Sequence, residues 1–335
     1  MSRTRLVLAG TGLIGARHLA HIRADPALEL AAVVDPAPAV AVDVPVFPSV
    51  EAADVEADGI IVATPTATHA PVAVAAARRG WHALVEKPLA GTLRDADAIA
   101  DAHARAGTHL LVGHHRRYHP AAERLHAVVA SGAIGTPVAA SLLWLMCKPD
   151  DYFAPAWRHG LDGSPIRQNL IHDVDLLRWL LGEVEDVAGL ASNACRGTAR
   201  PESGGAVLRF RGGAVATIAY ADTAASPWSF EAATGENPHI PQSGEDCLFV
   251  TGTAGAVAFP SLRVFTGAAD WTEAHAVRRE PVPGGVPLAR QLSHFADVIQ
   301  GRAAPRVTGA DGRANLDVVL RIEDAALADL AERPA

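Results

Sequence analysis

Short apolar runs, each stopped by turn residues, recur through the first third of the chain. They are Leu6 to Ala9, Leu30 to Val34, Gly59 to Ala63, His82 to Val85 and His109 to Val112. Between most of them lie Ala-rich stretches of helical character: Ile14 to Ala24, Ala70 to Arg79 and Leu93 to Ala106. Thr92-Leu93-Arg94-Asp95 supplies an N-terminal cap for the last of these. Strands that are apolar throughout are buried on both faces. Alternated with helices, they predict an α/β fold with a doubly wound parallel sheet. In such a sheet ligands bind beyond the carboxyl ends of the strands. Those ends here are Gly10, Asp35, Thr64-Pro65, Glu86-Lys87 and Gly113-His114, which collects most of the unusual residues.

Gly10-Thr11-Gly12-Leu13-Ile14-Gly15 follows the first run and opens the first helix. A lone G-x-G-x-x-G carries little weight, but here strand, turn and helix agree. Gly10 permits the tight turn, Gly12 lets a pyrophosphate approach the backbone, and Gly15 lets the helix pack closely. The N–H groups of Leu13, Ile14 and their neighbours at the helix start then face the phosphate. Asp35 ends the second run. A carboxylate there accepts hydrogen bonds from ribose hydroxyls and repels a 2′-phosphate, and no Arg follows it. NAD is therefore the expected cofactor, rather than NADP.

Composition narrows the partners. The formal charge is −8, with 49% hydrophobic and 20% charged residues, so the chain is globular and lacks the basic excess of a nucleic-acid or anionic-membrane binder. No apolar run reaches the ~18 residues of a membrane span. The apolar stretch from Leu6 to Ala16 is interrupted by three glycines and is not read as a secretory signal. Cys147, Cys195 and Cys247 fit neither a metal spacing nor a paired disulfide set, so a reducing cytoplasm is expected. Lys87 and Lys148 are the only lysines among 29 basic residues. Arg stays protonated where a buried Lys can exchange its proton, so a retained Lys is a candidate for acid–base work.

Glu86-Lys87-Pro88 and Thr64-Pro65-Thr66-Ala67-Thr68-His69, together with the glycine loop, resemble the Gfo/Idh/MocA family of NAD(P)-dependent oxidoreductases. The resemblance continues through Val112 to Pro120, Asn169-Leu170-Ile171-His172-Asp173-Val174-Asp175, and Pro287 to Phe295, and so covers essentially the whole chain. It implies an N-terminal Rossmann domain, here 1–119. It also implies a C-terminal α+β domain, here 120–335, with an open, mostly antiparallel sheet, one face of which often carries oligomer contacts. The sequence agrees independently. Strand-like runs occur at Val138 to Leu145, Ala206 to Phe210, Ala214 to Tyr220, Cys247 to Thr251 and Ala256 to Phe259, with Gly212-Gly213 suited to a hairpin turn. From Gly163 to Gly182 apolar residues recur at helical spacing, which sets His172 and Asp175 on one face. The resemblance places the substrate cleft between the two domains.

By the same resemblance Lys87 and His172 bracket a substrate hydroxyl, as proton acceptor and as cation beside a developing alkoxide. Thr64, Pro65, His69, Glu86 and Lys87 join the glycine loop and Asp35 as cofactor residues. Arg116, Arg117, Trp157, Asn169 and Asp175 join Lys87 and His172 as substrate residues. One departure stands out. Many relatives carry Asp where this chain has Gln168, and a neutral amide cannot raise the proton affinity of Lys87 or His172 as a carboxylate would. On residues alone, His172 also fits a hydrogen-bonded core histidine, and Arg116 and Arg117 also fit ion pairs at the domain boundary. His114, His115 and His119 have no carboxylate at a convincing ligand spacing, so no metal is expected. The alternative reading of Lys87 and Lys148 is two leftover surface residues, and Lys148→Arg is expected to be nearly silent.

The expectation is an NAD-dependent dehydrogenase acting on a CH–OH group: a secondary hydroxyl of a sugar, cyclitol or related polyol, or of a small hydroxy acid held by arginine. A glycosidase or epimerase that oxidises its sugar transiently, and a non-catalytic NAD and sugar sensor, are the alternatives. A homodimer or homotetramer is expected.

Overall fold

The computed structural model describes residues 3–332. They form two compact units, one of 3–118 with 285–317 and one of 119–284 with 318–332.

In the first unit six strands pair in parallel. They are β1 (Thr4–Ala9), β2 (Leu28–Val34), β3 (Val46–Phe47), β4 (Gly59–Val62), β5 (His82–Val85) and β6 (Leu110–Val112), in the spatial order β3-β2-β1-β4-β5-β6. The order reverses between β1 and β4, which is where a doubly wound sheet opens its ligand crevice. The helices between them are α1 (Leu13–Ala24), α2 (His69–Arg78) and α3 (Leu93–Ala106). Strand residues alternate between the two faces. Leu6 and Leu8 of β1, Ile61, Leu84 and Leu111 share one core with Leu19 and Ile22 of α1. The α3 cap forms as its sequence requires: Asp95 N–H donates to Thr92 Oγ1 at 3.1 Å, and that hydroxyl donates to Asp95 Oδ2 at 2.8 Å.

The second unit is built on eight strands: β7 (Pro137–Leu145), β8 (Val184–Ser192), β9 (Ser203–Phe210), β10 (Val215–Ala221), β11 (Leu248–Gly252), β12 (Gly255–Phe259), β13 (Arg263–Thr266) and β14 (Ala276–Arg279). Their order is β14-β13-β12-β11-β7-β10-β9-β8, and every pair is antiparallel except β7 with β10. The β9–β10 turn closes through Gly213, whose φ of 90° suits a residue without a side chain. Helices α4 (Pro120–Ala130), α5 (Ile171–Leu181) and α6 (Phe230–Thr234) accompany the sheet. Their Leu125, Leu177 and Phe230 share a core with Trp144, Ile218 and Phe259 of the strands.

The chain then returns. Helix α7 (Pro287–Ile299) places Leu292, Phe295, Ala296 and Val298 in the first unit's core. The sequence cut after residue 119 keeps this segment with the later residues, whereas its packing is in the first unit. Val112 N–H donates to the Val307 carbonyl at 3.0 Å, so the returning chain also closes the β6 edge. The last helix, α8 (Gly309–Glu332), is separated from α7 by Gly301 and Pro305. A glycine at positive φ and a proline are the physical reason the two helices do not run on as one. Among the described residues no helix is long and apolar enough to cross a membrane.

Candidate functional site

In the first unit the strand ends assemble one surface. Gly10 follows β1 with φ of 87°, and a Cβ there would lie 2.6 Å from the Ala63 carbonyl oxygen. Only glycine fits so close to the end of β4. Gly12 is the N-cap of α1, with no side-chain cap and no acidic residue in the first turn, and space beyond its Cα is open to 4 Å. Leu13 is 78% exposed. The first N–H groups of α1 have no acceptor within the helix. With the positive end of the helix dipole behind them, they suit a pyrophosphate.

Asp35 stands beside this loop at the end of β2. Its Oδ2 accepts from Thr11 N–H at 2.8 Å and from Thr11 Oγ1 at 2.7 Å, and its Oδ1 accepts from Ala37 N–H at 2.9 Å. Partial burial pushes the carboxyl up, but the Thr11 and Ala37 bonds outweigh it and hold the group below its ordinary value. The carboxylate is thus charged and aimed before any ribose arrives. Thr11 is a residue the sequence reading passed over as a variable position of the glycine motif. A hydroxyl inside the loop, opposite an acidic strand end, was the signal for it.

Beyond β4, Thr64 and Pro65 lead into α2. His69 is 1% exposed, and its two ring nitrogens lie 2.9 Å from the Thr64 carbonyl and 3.0 Å from the Pro88 carbonyl. Burial lowers its pKa against the pull of those carbonyls. A neutral ring has one N–H, so it donates to one carbonyl at a time. His69 therefore braces two loops from within.

Glu86 at the end of β5 is also turned inward, 5% exposed. Its Oε1 accepts from His18 Nε2 of α1 at 2.8 Å. Burial alone would raise this carboxyl, yet the His18 hydrogen bond and the charges of His18, His115 and Lys87 bring it down to about 2. The pair ties the glycine-loop helix to the strand that carries Lys87. Lys87 itself is half-buried, and its peptide bond to Pro88 is cis. Arg116 and Arg117, in the turn His115–Tyr118, are buried, and Arg117 lies 3.5 Å from Asp311. His114 sits 3.1 Å from the Asn315 amide nitrogen.

In the second unit Asn169 lies in a single π-turn, Ile166–Leu170, that feeds α5. His172 and Asp175 follow on α5, 6% and 1% exposed. Gln168 donates from Nε2 to the Asp162 carbonyl at 2.6 Å, a bond that an ionised Asp at this position could not make. Arg167 is held by both oxygens of Glu323 and by Asp162, which steadies the turn. Trp157 is half exposed, with Arg158 over its ring. His119 caps α4, accepting from Ala121 N–H at 3.2 Å. One expectation is overturned: Lys148 is not a surface residue. It is 7% exposed, and its Nζ donates to Asn169 Oδ1 at 3.0 Å.

Residues 4–114 match a family model described as an oxidoreductase family with an NAD-binding Rossmann fold, and 122–258 match the GFO/IDH/MocA C-terminal domain. The rhizopine catabolism protein MocA of Rhizobium meliloti is 31% identical over 193 residues, 55% of this chain and 59% of that protein. An inositol 2-dehydrogenase of Saccharopolyspora erythraea is 32% identical over 214 residues, 60% of each. The chain thus matches about three fifths of the length of these curated relatives. Among solved structures, the WlbA dehydrogenase of Bordetella pertussis, in complex with NADH and UDP-GlcNAcA, superposes with a TM-score of 0.77 at 24% identity. That match covers 97% of this chain and 96% of that one. At that identity the likeness establishes the fold.

Proposed function

The chain belongs to the Gfo/Idh/MocA family of oxidoreductases, and we propose that it is an NAD-dependent dehydrogenase taking hydride from a secondary hydroxyl of a sugar, cyclitol or related polyol. The observation that carries this reading is the first unit's strand-end surface: an open helix start at Gly12, an anchored Asp35 carboxylate beyond β2, and Lys87 beyond β5, two strands from β1 in the sheet. NAD, when bound, supplies the hydride acceptor. Gly10, Gly12, Leu13, Ile14 and Gly15 hold its phosphates, Asp35 its adenosine ribose, and Thr64 and Pro65 flank it. His69 and Glu86 support these loops from inside. Lys87 takes or holds the proton of the reacting hydroxyl, since hydride leaves carbon only as that proton leaves oxygen. His172 is its partner in that exchange. Asn169 and Asp175 orient substrate and His172, and Trp157, Arg116 and Arg117 are the further substrate residues of this reading.

The inositol-acting relative supports a polyol or sugar as the substrate class. Cys147, Cys195 and Cys247 are free thiols, which supports a cytoplasmic setting. Assembly as a homodimer or homotetramer through the open face of the second unit's sheet belongs to the same reading. The test is NADH formation by the purified protein over a panel of polyols, aldoses, uronic acids and hydroxy acids. Stoichiometric NADH from one class is the expected result. Tight NAD binding with no NADH from any member overturns the reading.

A further inference from the structure

His18 and Glu86 meet in the interior of the first unit. His18 lies in the second turn of α1 and is fully buried. Its Nε2 is 2.8 Å from Glu86 Oε1, and an ionised carboxylate only accepts, so Nε2 carries the proton of that bond. The second carboxylate oxygen is engaged as well. Glu86 Oε2 accepts from the peptide N–H of Lys87 at 3.3 Å. At the end of β6, a Cβ on Gly113 would lie 2.8 Å from that same oxygen and 2.9 Å from the carboxyl carbon. Glycine there leaves the carboxylate its inward place. The helix that starts at the glycine loop and the ends of β5 and β6 thus fix one buried charge at the residue preceding Lys87.

A buried carboxyl ordinarily takes up a proton. This one stays charged because several segments face it. His18 faces it from α1, His115 from the turn after β6, and Lys87 from its own strand end, while His69 at the start of α2 feels its charge in return. His21 is the further group near His18 on its own helix. Nothing in the proposed reaction yet uses His18, and Glu86 has only a supporting part. A negative charge beside the half-buried Lys87 opposes loss of the Lys87 proton, whereas desolvation of Lys87 favours it.

We propose that His18 is a positioning residue for the proton-transfer step: its N–H holds Glu86 as an inward carboxylate, and that carboxylate sets the proton affinity of Lys87. The inference rests on the dehydrogenase reading only for the use to which Lys87 puts its proton. With Glu86 ionised, Lys87 keeps its ammonium to higher pH, and the neutral amine that accepts the hydroxyl proton forms above that. Without the His18 N–H, burial drives the Glu86 carboxyl to take up a proton. The charge is then lost, and Lys87 releases its own proton at lower pH.

Lys87 can be watched directly, because the chain holds two lysines. In full-length protein labelled with carbon-13 at the lysine ε-carbon, each gives its own resonance, and Lys148→Arg identifies that of Lys87. Glu86→Gln is expected to weaken proton binding at Lys87 by about tenfold, the scale for removing a neighbouring opposite charge. His18→Leu should do the same. His18→Gln keeps an N–H donor and should stay within about twofold of wild type, and Glu86→Gln with His18→Leu should add nothing to Glu86→Gln alone. A merely structural brace would lower the melting temperature in His18→Leu and leave the Lys87 titration in place, and that outcome overturns the assignment. So does a titration that Glu86→Gln leaves unmoved, one that His18→Leu moves to higher pH, or equal shifts in His18→Gln and His18→Leu. The pH at which NADH formation rises should follow the Lys87 titration across the variants, and a rise that stays in place overturns the positioning role. Titrations that move as expected, with no NADH formed from any substrate class, sink the dehydrogenase reading instead and leave the coupling of His18, Glu86 and Lys87 standing.

Discussion

Three side chains carry separable predictions. Lys87→Arg keeps a cation but removes a proton exchangeable near neutral pH. Turnover should fall by roughly 10²-fold or more, while NAD affinity barely changes. Steady-state kinetics with equilibrium NAD binding checks both halves, and a variant with most of its activity would reduce Lys87 to an electrostatic clamp. Asp35→Ala should narrow the preference for NAD over NADP, measured as a ratio of dissociation constants. Thr11→Val should do part of the same, because the Asp35 carboxylate loses the hydroxyl that aims it. Glu86 gives a pH prediction. Its carboxyl is held near 2 in the folded chain, below the ~4.3 of an unfolded glutamate. Its contribution to stability is therefore complete above about pH 5 and is lost as pH falls toward 2. Urea unfolding of wild type should show this loss, and Glu86→Gln, which does not titrate, should show a flatter profile. Identical acid profiles would remove Glu86 from the account. Thr11 and Lys148 illustrate what single residues conceal. Neither belongs to a local motif that names its partner, and each meets one more than 20 positions away.

At the scale of elements, legibility followed burial. β5 and α3 are written over the same residues in sequence and in structure, because an unbroken apolar run and a capped amphipathic stretch leave few alternatives. Thr92→Ala should cost about 1 kcal/mol, the usual worth of such a cap, and lower the melting temperature of the chain by a few degrees. No change in melting would show the helix held by packing alone. β8 is not legible in the same way: only Val184 and Ala191 are buried in it, and Glu185, Asp186 and Gly189 interrupt any alternation. β14 is exposed at all four residues, so it has no burial pattern to read and exists through pairing with β13. The π-turn before α5 hides in a continuous helical periodicity. Its extra residue per turn changes the angular position of Asn169 relative to His172, a shift that helical spacing does not register.

At the scale of the molecule, the second unit's sheet has one face that keeps apolar residues in solvent. Leu190, Val207, Val215 and Phe249 are each more than a third exposed, on four different strands whose register sets them on the same side. An apolar sheet face of this extent is stabilised by a cover. We expect a homodimer or homotetramer, and light scattering at micromolar concentration that gives about the 34.9 kDa of one chain overturns this. Val207→Lys together with Phe249→Glu should shift the assembly toward monomer.

The sequence by itself determined five of the first unit's six strands with the helices between them, the glycine turn, the strand ends where chemistry collects, and five of the second unit's eight strands with the turn that joins β9 to β10. These depend on dihedral preference and on periodicity, which are properties of neighbours in the chain. Only the tertiary structure decided that 285–317 belongs to the first unit. Phe295 and Leu292 complete a core begun by Leu6 and Leu8, and a Cβ on Gly59 would lie 2.9 Å from Ile299 and 3.1 Å from Phe295. It also decided that Glu86 faces His18, and that Lys148 holds Asn169. An apolar stripe states that a helix will be covered, but not by what. That choice is made by shape and charge among segments distant in sequence, where no local pattern reaches.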